Sequence, residues 1–406
     1  MNDSGWEGHE GGAGFRRVLL ALFAAGFATF AQVFDAQAVL PLMSAELAVP
    51  PAAASLSLSF ATLGMAASVL PWASVADRFG RVRTMKVALI VSGVLGVVTP
   101  LAPGFEAFLA LRALTGAALG AVPAVAMAYL AEEIHGRRVA QAAAIYVTGN
   151  TIGGLVGRLV AGQAGQMWGW RAGLEVVAAF AVAAGIAFVL LAPPPRGYRP
   201  VRVPARRAAR IVAFHLRDPL LAALYLIGFM HMGAFAALYN YVGYRLLDPP
   251  FDVDPTIVNL LFTAYLLGSG SAQLAPRIAA RWGATPAMLL GFGLEAVALG
   301  FLLSDRTWAV ATGIALFTVG WGFVHPLASG QSGARAQLGR AQSSALYQLA
   351  WLTGTAVFGW LIGLVMDAAG WGGAVAGFLV LTVLGAAAAW IGLETLRGRR
   401  PSPPAA

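Results

Sequence analysis

The chain predicts an all-α membrane protein of twelve transmembrane helices in two pseudo-symmetric six-helix bundles, and three observations carry that prediction. Of its 406 residues, 59% are hydrophobic and 11% charged, too little charge to clothe a water-soluble surface of this size. Apolar runs of roughly twenty residues, the length that crosses a bilayer core, recur along the whole chain. Segments lying 201 to 203 positions apart also repeat one another. The 22 prolines and 49 glycines suit this class, because neighbouring membrane helices re-satisfy the backbone groups that a kink sets free.

The predicted spans are 18–41, 55–76, 87–103, 106–131, 139–163, 172–192, 219–244, 255–276, 286–303, 307–330, 341–366 and 371–393. Residues 1–17 read as a disordered lead, Gly-rich and acidic at first, without the apolar core of a signal peptide. The first bundle is expected over 18–192 and the second over 219–393, joined by a basic linker at 193–218 and followed by a tail at 394–406. Within the linker, 203–216 is either a basic interfacial helix on anionic lipid or a solvated connection.

Charge sets the expected orientation. Of the 27 Lys and Arg residues, Arg171, Arg245 and Arg306 fall in one set of loops and Arg112 and Arg158 inside spans, leaving 22 in the other loops and the two terminal segments. By the positive-inside rule both termini and the linker are expected in the cytoplasm, with the chain in a bacterial-type inner membrane. The net charge of +9 therefore implies orientation and lipid contact, and no nucleic acid.

The repeat is centred on a basic turn. Ala73-Ser-Val-Ala-Asp-Arg-Phe-Gly-Arg-Val-Arg-Thr-Met-Lys86 has a fainter copy at Pro276-Arg-Ile-Ala-Ala-Arg-Trp-Gly-Ala-Thr-Pro-Ala-Met288. Ala140-Gln-Ala-Ala-Ala-Ile-Tyr146 recurs as Ala341-Gln-Ser-Ser-Ala-Leu-Tyr347, Gly169-Trp170 as Gly370-Trp371, and Pro123 corresponds to Pro326. Parallel halves of this kind are a known transporter plan, which predicts a substrate site near mid-membrane between the halves.

With these motifs the chain resembles the major facilitator superfamily from the first span to the last. Asp77, Arg78, Gly80, Arg81 and Arg83 match the family's loop Gly-x-x-x-Asp-Arg-x-Gly-Arg-x-Arg, with Ala73 in place of its first glycine. Arg112, Gly116 and Gly120 are similar to its fourth-helix arginine pattern. Gly149, Gly153, Gly154, Gly157 and Arg158 are similar to its antiporter motif Gly-x-x-x-Gly-Pro-x-x-Gly-Gly, with Gly154 for the proline and Arg158 for the last glycine. The set is most similar to the drug/proton antiporter and arabinose-efflux-like branch. That resemblance implies a multi-pass carrier, expected to be monomeric, that moves a small molecule against protons by rocking one bundle on the other.

Physical reasoning gives the charges roles. Asp77 closes the second span and Arg78, Arg81 and Arg83 follow at the membrane surface, so this turn either gates the cavity through a charge network or simply obeys the orientation rule. Inside the membrane an ionised group costs about 2.5–3.5 kcal/mol or more unless it is paired or hydrated. Asp35 lies about six residues before the outer end of the first span and Arg112 about six after the outer start of the fourth, hence at similar depth. In the resembled fold those helices are neighbours. The two side chains then form either a proton-coupling pair, in which separation favours the protonated acid, or a permanent structural ion pair. Arg158 and Glu175 are expected to pair at the outer rim, whereas spacing assigns Glu295 no partner.

Substrate contacts are expected from Gln32 and Gln37 on the first span, His231, Tyr239 and Asn240 on the seventh, and Trp321 on the tenth. These spans line the cavity in the resembled fold, and aromatic surface with a few polar groups suits amphipathic compounds. His325 reads as a helix-packing histidine. Enzyme chemistry finds no support: the chain has no cysteine, no Gly-x-x-x-x-Gly-Lys-Ser/Thr phosphate loop, no His-Glu-x-x-His and no Gly-x-Ser-x-Gly. No cofactor or metal is expected. The function predicted is proton-coupled export of a small organic molecule, drug-like or sugar-like. The alternatives are uptake by symport and, from another class, a non-transporting receptor or scaffold.

Overall fold

The computed structural model describes residues 8–198 and 205–395, almost entirely as helix. In chain order the helices are α1 (Gly12–Phe34), α2 (Leu40–Leu47), α3 (Pro51–Phe79), α4 (Arg81–Val98), α5 (Phe105–Leu119), α6 (Ala121–Glu133), α7 (Val139–Trp168), α8 (Trp170–Leu191), α9 (Ala205–Arg217), α10 (Pro219–Leu247), α11 (Pro255–Asn259), α12 (Tyr265–Trp282), α13 (Ala284–Leu302), α14 (Thr307–Ala334) and α15 (Arg340–Ala387). Short 3-10 turns join α1 to α2 and α11 to α12, and a π-helical stretch, Ala388–Thr395, follows α15.

Among the described residues, eleven continuous helical segments are long and apolar enough to cross a membrane. The last, Arg340–Glu394, bends at Gly370 (φ 66°) and so supplies two spans, for a total of twelve. The predicted spans and the observed helices coincide apart from their ends, because lateral packing and local caps extend helices beyond the apolar core. Asp218, for example, caps α10 by accepting from Leu220 N at 3.0 Å, with Pro219 at the first helical position.

The internal repeat extends to backbone geometry. Gly80 between α3 and α4 and Gly283 between α12 and α13 have the same φ of 97°, a value that favours glycine. Gly153 of α7 faces the backbone of Phe27 in α1, and Gly354 of α15 faces the backbone of Phe229 in α10. Each close approach brings two helices together where a side chain would hold them apart.

The chain forms two compact units, Met1–Leu42 with Phe60–Arg202, and Met43–Ser59 with Val203–Ala406. The segment Met43–Ser59 thus departs from the expected first bundle. Hydrogen bonds account for this: Ser59 Oγ donates to Ala356 O at 2.7 Å, and the Ser44 and Tyr244 hydroxyls lie 2.7 Å apart.

The termini and linker need correction. The expected disordered lead is structured from residue 8: His9 N donates to Glu133 O (2.8 Å), His135 N donates to His9 O (3.2 Å), and α1 begins at Gly12. Residues 1–7 of that lead, 199–204 of the linker and 396–406 of the tail lie outside the described residues. The linker's second half is the helix α9, whose buried Phe214 and His215 face inward, with His215 Nε2 2.6 Å from Leu338 O. Arg206, Arg210 and Arg217 are exposed on it.

Candidate functional site

At the end of α1 the helix tightens into a 3-10 turn over Asp35–Val39, and Asp35 is the first residue of that turn. Its Oδ1 accepts from Ala36 N at 2.6 Å and lies 2.9 Å from Arg112 Nη1, which reaches it from α5. Arg112 also donates to Gln32 O and Val33 O, each at 3.0 Å. The Asp35 and Arg112 side chains are 6% and 3% exposed. A carboxylate and two carbonyls thus engage one planar guanidinium, the geometry in which a buried charge pair persists.

Arg158 of α7 flanks the same turn. It donates to Gln37 Oε1 and to Gly154 O, both at 2.7 Å, and its guanidinium lies 4.4 Å from the Phe34 ring centroid. The expected pairing with Glu175 does not form. Residue 158 shares the α7 face of Gly154 and Gly157, buried toward α1, while Glu175 is exposed. Gly149, Gly153 and Gly157 form a stripe four residues apart, set against the backbones of Phe23, Phe27 and Ala31. The antiporter-like motif therefore builds the α1–α7 contact that holds Asp35 in place.

The basic turn carries a second network. Arg81 lies 2.5 Å from Asp77 Oδ1 and 3.1 Å from Glu132 Oε1, joining α3, α4 and α6. The Tyr198 hydroxyl donates to Asp77 O at 2.8 Å. Glu133 Oε1 accepts from Arg196 N at 2.7 Å and from Gly197 N at 2.8 Å. Arg78 sits over the Phe79 ring and Arg83 is exposed, so neither extends this network. Sequence reasoning missed Glu132, Glu133 and Tyr198. The available signal was an acidic pair at the end of the fourth span, opposite the arginines.

In the second unit the expected contacts separate. The Tyr239 hydroxyl lies 2.7 Å from Thr318 Oγ1, and Trp321 Nε1 lies 3.1 Å from Met232 S. Phe235 links these two aromatics, with ring centroids 5.1 Å from Tyr239 and 5.0 Å from Trp321, and Tyr265 is 4.7 Å from Tyr239. Asn240 is buried beside Gly359, outside this cluster. In the first unit Gln32 Nε2 lies 3.4 Å from Ala28 O, and Gln37 is engaged by Arg158. His325 stacks on Trp321 (5.7 Å) with its Nδ1 3.1 Å from the Tyr347 hydroxyl.

His231 departs most from expectation. Rather than joining the aromatic cluster, it points from α10 to α13, with Nδ1 3.1 Å from Glu295 Oε1, and both side chains are fully buried. Phe292 packs edge-on against its ring at 5.6 Å. Glu295 thus has the partner that spacing failed to assign, since a separation of 64 positions hides such a contact from any periodicity.

Removing one member strands the other in an apolar interior, so His231→Leu is expected to cost about 3–5 kcal/mol. The double variant His231→Leu/Glu295→Met is expected to recover most of that loss. A double-mutant cycle on thermal stability in detergent measures the coupling, and simple additivity would overturn it.

A twelve-span helical bundle with a repeated half and ionisable groups held inside it defines a polytopic membrane transporter. The model of the Major Facilitator Superfamily matches residues 18–251. The inner membrane transport protein YnfM of Escherichia coli (strain K12) is 36% identical over 370 residues, 91% of this chain and 88% of that protein. The MFS-type transporter YybF of Bacillus subtilis (strain 168) is 33% identical over 361 residues, 89% of each. Two solved structures share the fold. The bacterial homologue of the human lysosomal transporter Spinster, inward-facing and unoccupied, has a TM-score of 0.78 at 18% identity, covering 97% of this chain and 100% of its own. The D-xylose-proton symporter has a TM-score of 0.74 at 14% identity, covering 93% and 96%. The chain belongs to the major facilitator superfamily.

Proposed function

We propose that this transporter exports small organic molecules in exchange for protons, by alternating access, with Asp35 as the proton-carrying group and Arg112 as its switchable partner. One observation carries the reading: Asp35 and Arg112 meet at 2.9 Å, almost fully buried, where α1 leaves α-helical geometry. A carboxylate held there by a guanidinium is ionised; drawn away from it in a dry surrounding, it takes up a proton. Each unit charge moved across the membrane is worth about 2.3 kcal/mol per 100 mV, enough to bias a transport cycle.

The network of Arg81, Asp77 and Glu132 serves in this reading as the cytoplasmic gate, with both termini on that side. The cluster of Tyr239, Trp321, Phe235 and Tyr265 supports an amphipathic substrate, because flat aromatic faces take apolar bodies while hydroxyls fix orientation. The resemblance of the Gly149–Arg158 stretch to the antiporter motif supports exchange over symport.

The test is a panel of amphipathic drugs and sugars presented to proteoliposomes with a trapped pH-sensitive dye. Antiport is expected to move protons opposite to the compound, and Arg112→Ala is expected to lose the response. Movement in the same sense would make the chain a symporter, and no compound-dependent proton flux would remove the coupling.

A further inference from the structure

Between α4 and α8 the first unit carries an open cleft of about 580 Å³. Ile90, Val94 and Val98 line it from α4, and Val182, Ile186 and Leu190 from α8. On each helix these residues are four apart and so form one stripe. Val94 is 60% exposed and Leu190 70% exposed. Gly93 and Gly185 also line the cleft, where an added Cβ would meet Val182 at 3.1 Å and Leu89 at 3.8 Å respectively.

Both ends of the cleft have meaning. From Leu89 to Val98 its α4 wall rises about 14 Å, close to half of a hydrocarbon core of about 30 Å, which is the depth of a single leaflet. At the end nearer the basic turn, two cations border it. Lys86 stands one helical turn before Ile90 on the α4 stripe and is partly exposed. Arg17 sits at the close of α8, donating to Leu190 O at 3.3 Å and Leu191 O at 3.2 Å while remaining exposed. The far end, around Val97, Val98 and Val182, is wholly aliphatic.

We propose that this cleft is a binding site for one anionic phospholipid, its acyl chain lying between α4 and α8 and its phosphate held by Lys86 and Arg17. A groove one leaflet deep, greasy along its length and cationic only at its rim, matches the amphiphile that has that shape and the opposite charge. A zwitterionic lipid fills the groove equally well but gains less at the rim, since attraction to the two cations follows net headgroup charge. The site is separate from Asp35 and Arg112, and does not depend on the direction of transport.

The experiment uses the full chain, delipidated in detergent and titrated with palmitoyl-oleoyl phosphatidylglycerol, with phosphatidylcholine of the same chains, and with glycerol phosphate, bound species being counted by native mass spectrometry. One phosphatidylglycerol per chain is expected to persist, about thirtyfold tighter than phosphatidylcholine, the scale that two surface cations supply. Glycerol phosphate alone is expected not to bind. Lys86→Glu with Arg17→Glu is expected to erase the preference for phosphatidylglycerol, and Val94→Trp to weaken both lipids by filling the groove. Ile186→Trp fills the same groove from α8, so failure of one variant to fold leaves the other decisive. Equal retention of the two lipids, a preference that survives charge reversal, or unchanged binding in the tryptophan variants would overturn the site.

Discussion

Asp35→Asn is expected to reduce substrate-dependent proton flux to the level of empty liposomes while leaving the folded transporter intact. The amide keeps the size of the carboxyl and can still accept from Arg112, which retains its bonds to Gln32 O and Val33 O. Arg112 keeps its two carbonyl partners but loses its counter-charge. The stability loss is therefore expected to be that of a hydrogen bond to a charged group, about 1.5–3 kcal/mol, short of the loss from removing the guanidinium. What disappears is the ability to bind and release a proton. Substrate exchange down its own gradient should survive, because alternation of the helices does not itself need the charge change.

Arg112→Ala makes the contrast. It strands Asp35 in an apolar interior, at an expected cost of about 3–5 kcal/mol, and should reduce the yield of folded protein as well as transport. Measuring pH-gradient-driven transport and thermal stability in parallel separates the two effects. Persistence of gradient-driven transport in Asp35→Asn would remove this carboxyl from the coupling step.

Gly153→Val is expected to impair folding by forcing two helices apart. The new Cβ would meet the Phe27 backbone, its O, Cα and C atoms, and none of these can rotate aside as the end of a side chain would. Overpacking of this kind costs about 3 kcal/mol at the upper end of its usual range. Separating α1 from α7 would also pull Arg158 away from Gln37 and loosen the turn that presents Asp35. Gly154→Ala on the same helix turn meets only Arg158 Nη1 at 3.1 Å as its nearest atom, the end of a flexible side chain, and should be far better tolerated. Size-exclusion profiles and melting temperatures in detergent check the difference; a Gly153→Val protein as stable as the parent would show that the helices need not approach so closely.

The sequence carried the frame of this protein well and its charge contacts unevenly. The spans could be read because transfer of an apolar run into lipid is a sum over neighbours in the chain, and the repeat could be read because related halves keep their turns, as Gly80 and Gly283 show by sharing one backbone angle. The meeting of Asp35 with Arg112 was legible for a narrower reason: both sit inside spans at matching depth, and the resembled family makes their helices neighbours.

By itself, then, the sequence determined a twelve-span transporter of two repeated halves, with charges placed at chosen depths. Only the tertiary structure decided which charges meet: Arg158 with Gln37 instead of Glu175, His231 with Glu295 instead of the aromatic cluster, and Arg81 with Glu132 across two helices. Depth follows from position along a helix, a one-dimensional quantity that counting residues supplies. Partnership depends on how each helix is rotated about its own axis and which helix lies beside it, and those are set by packing between residues far apart in the chain.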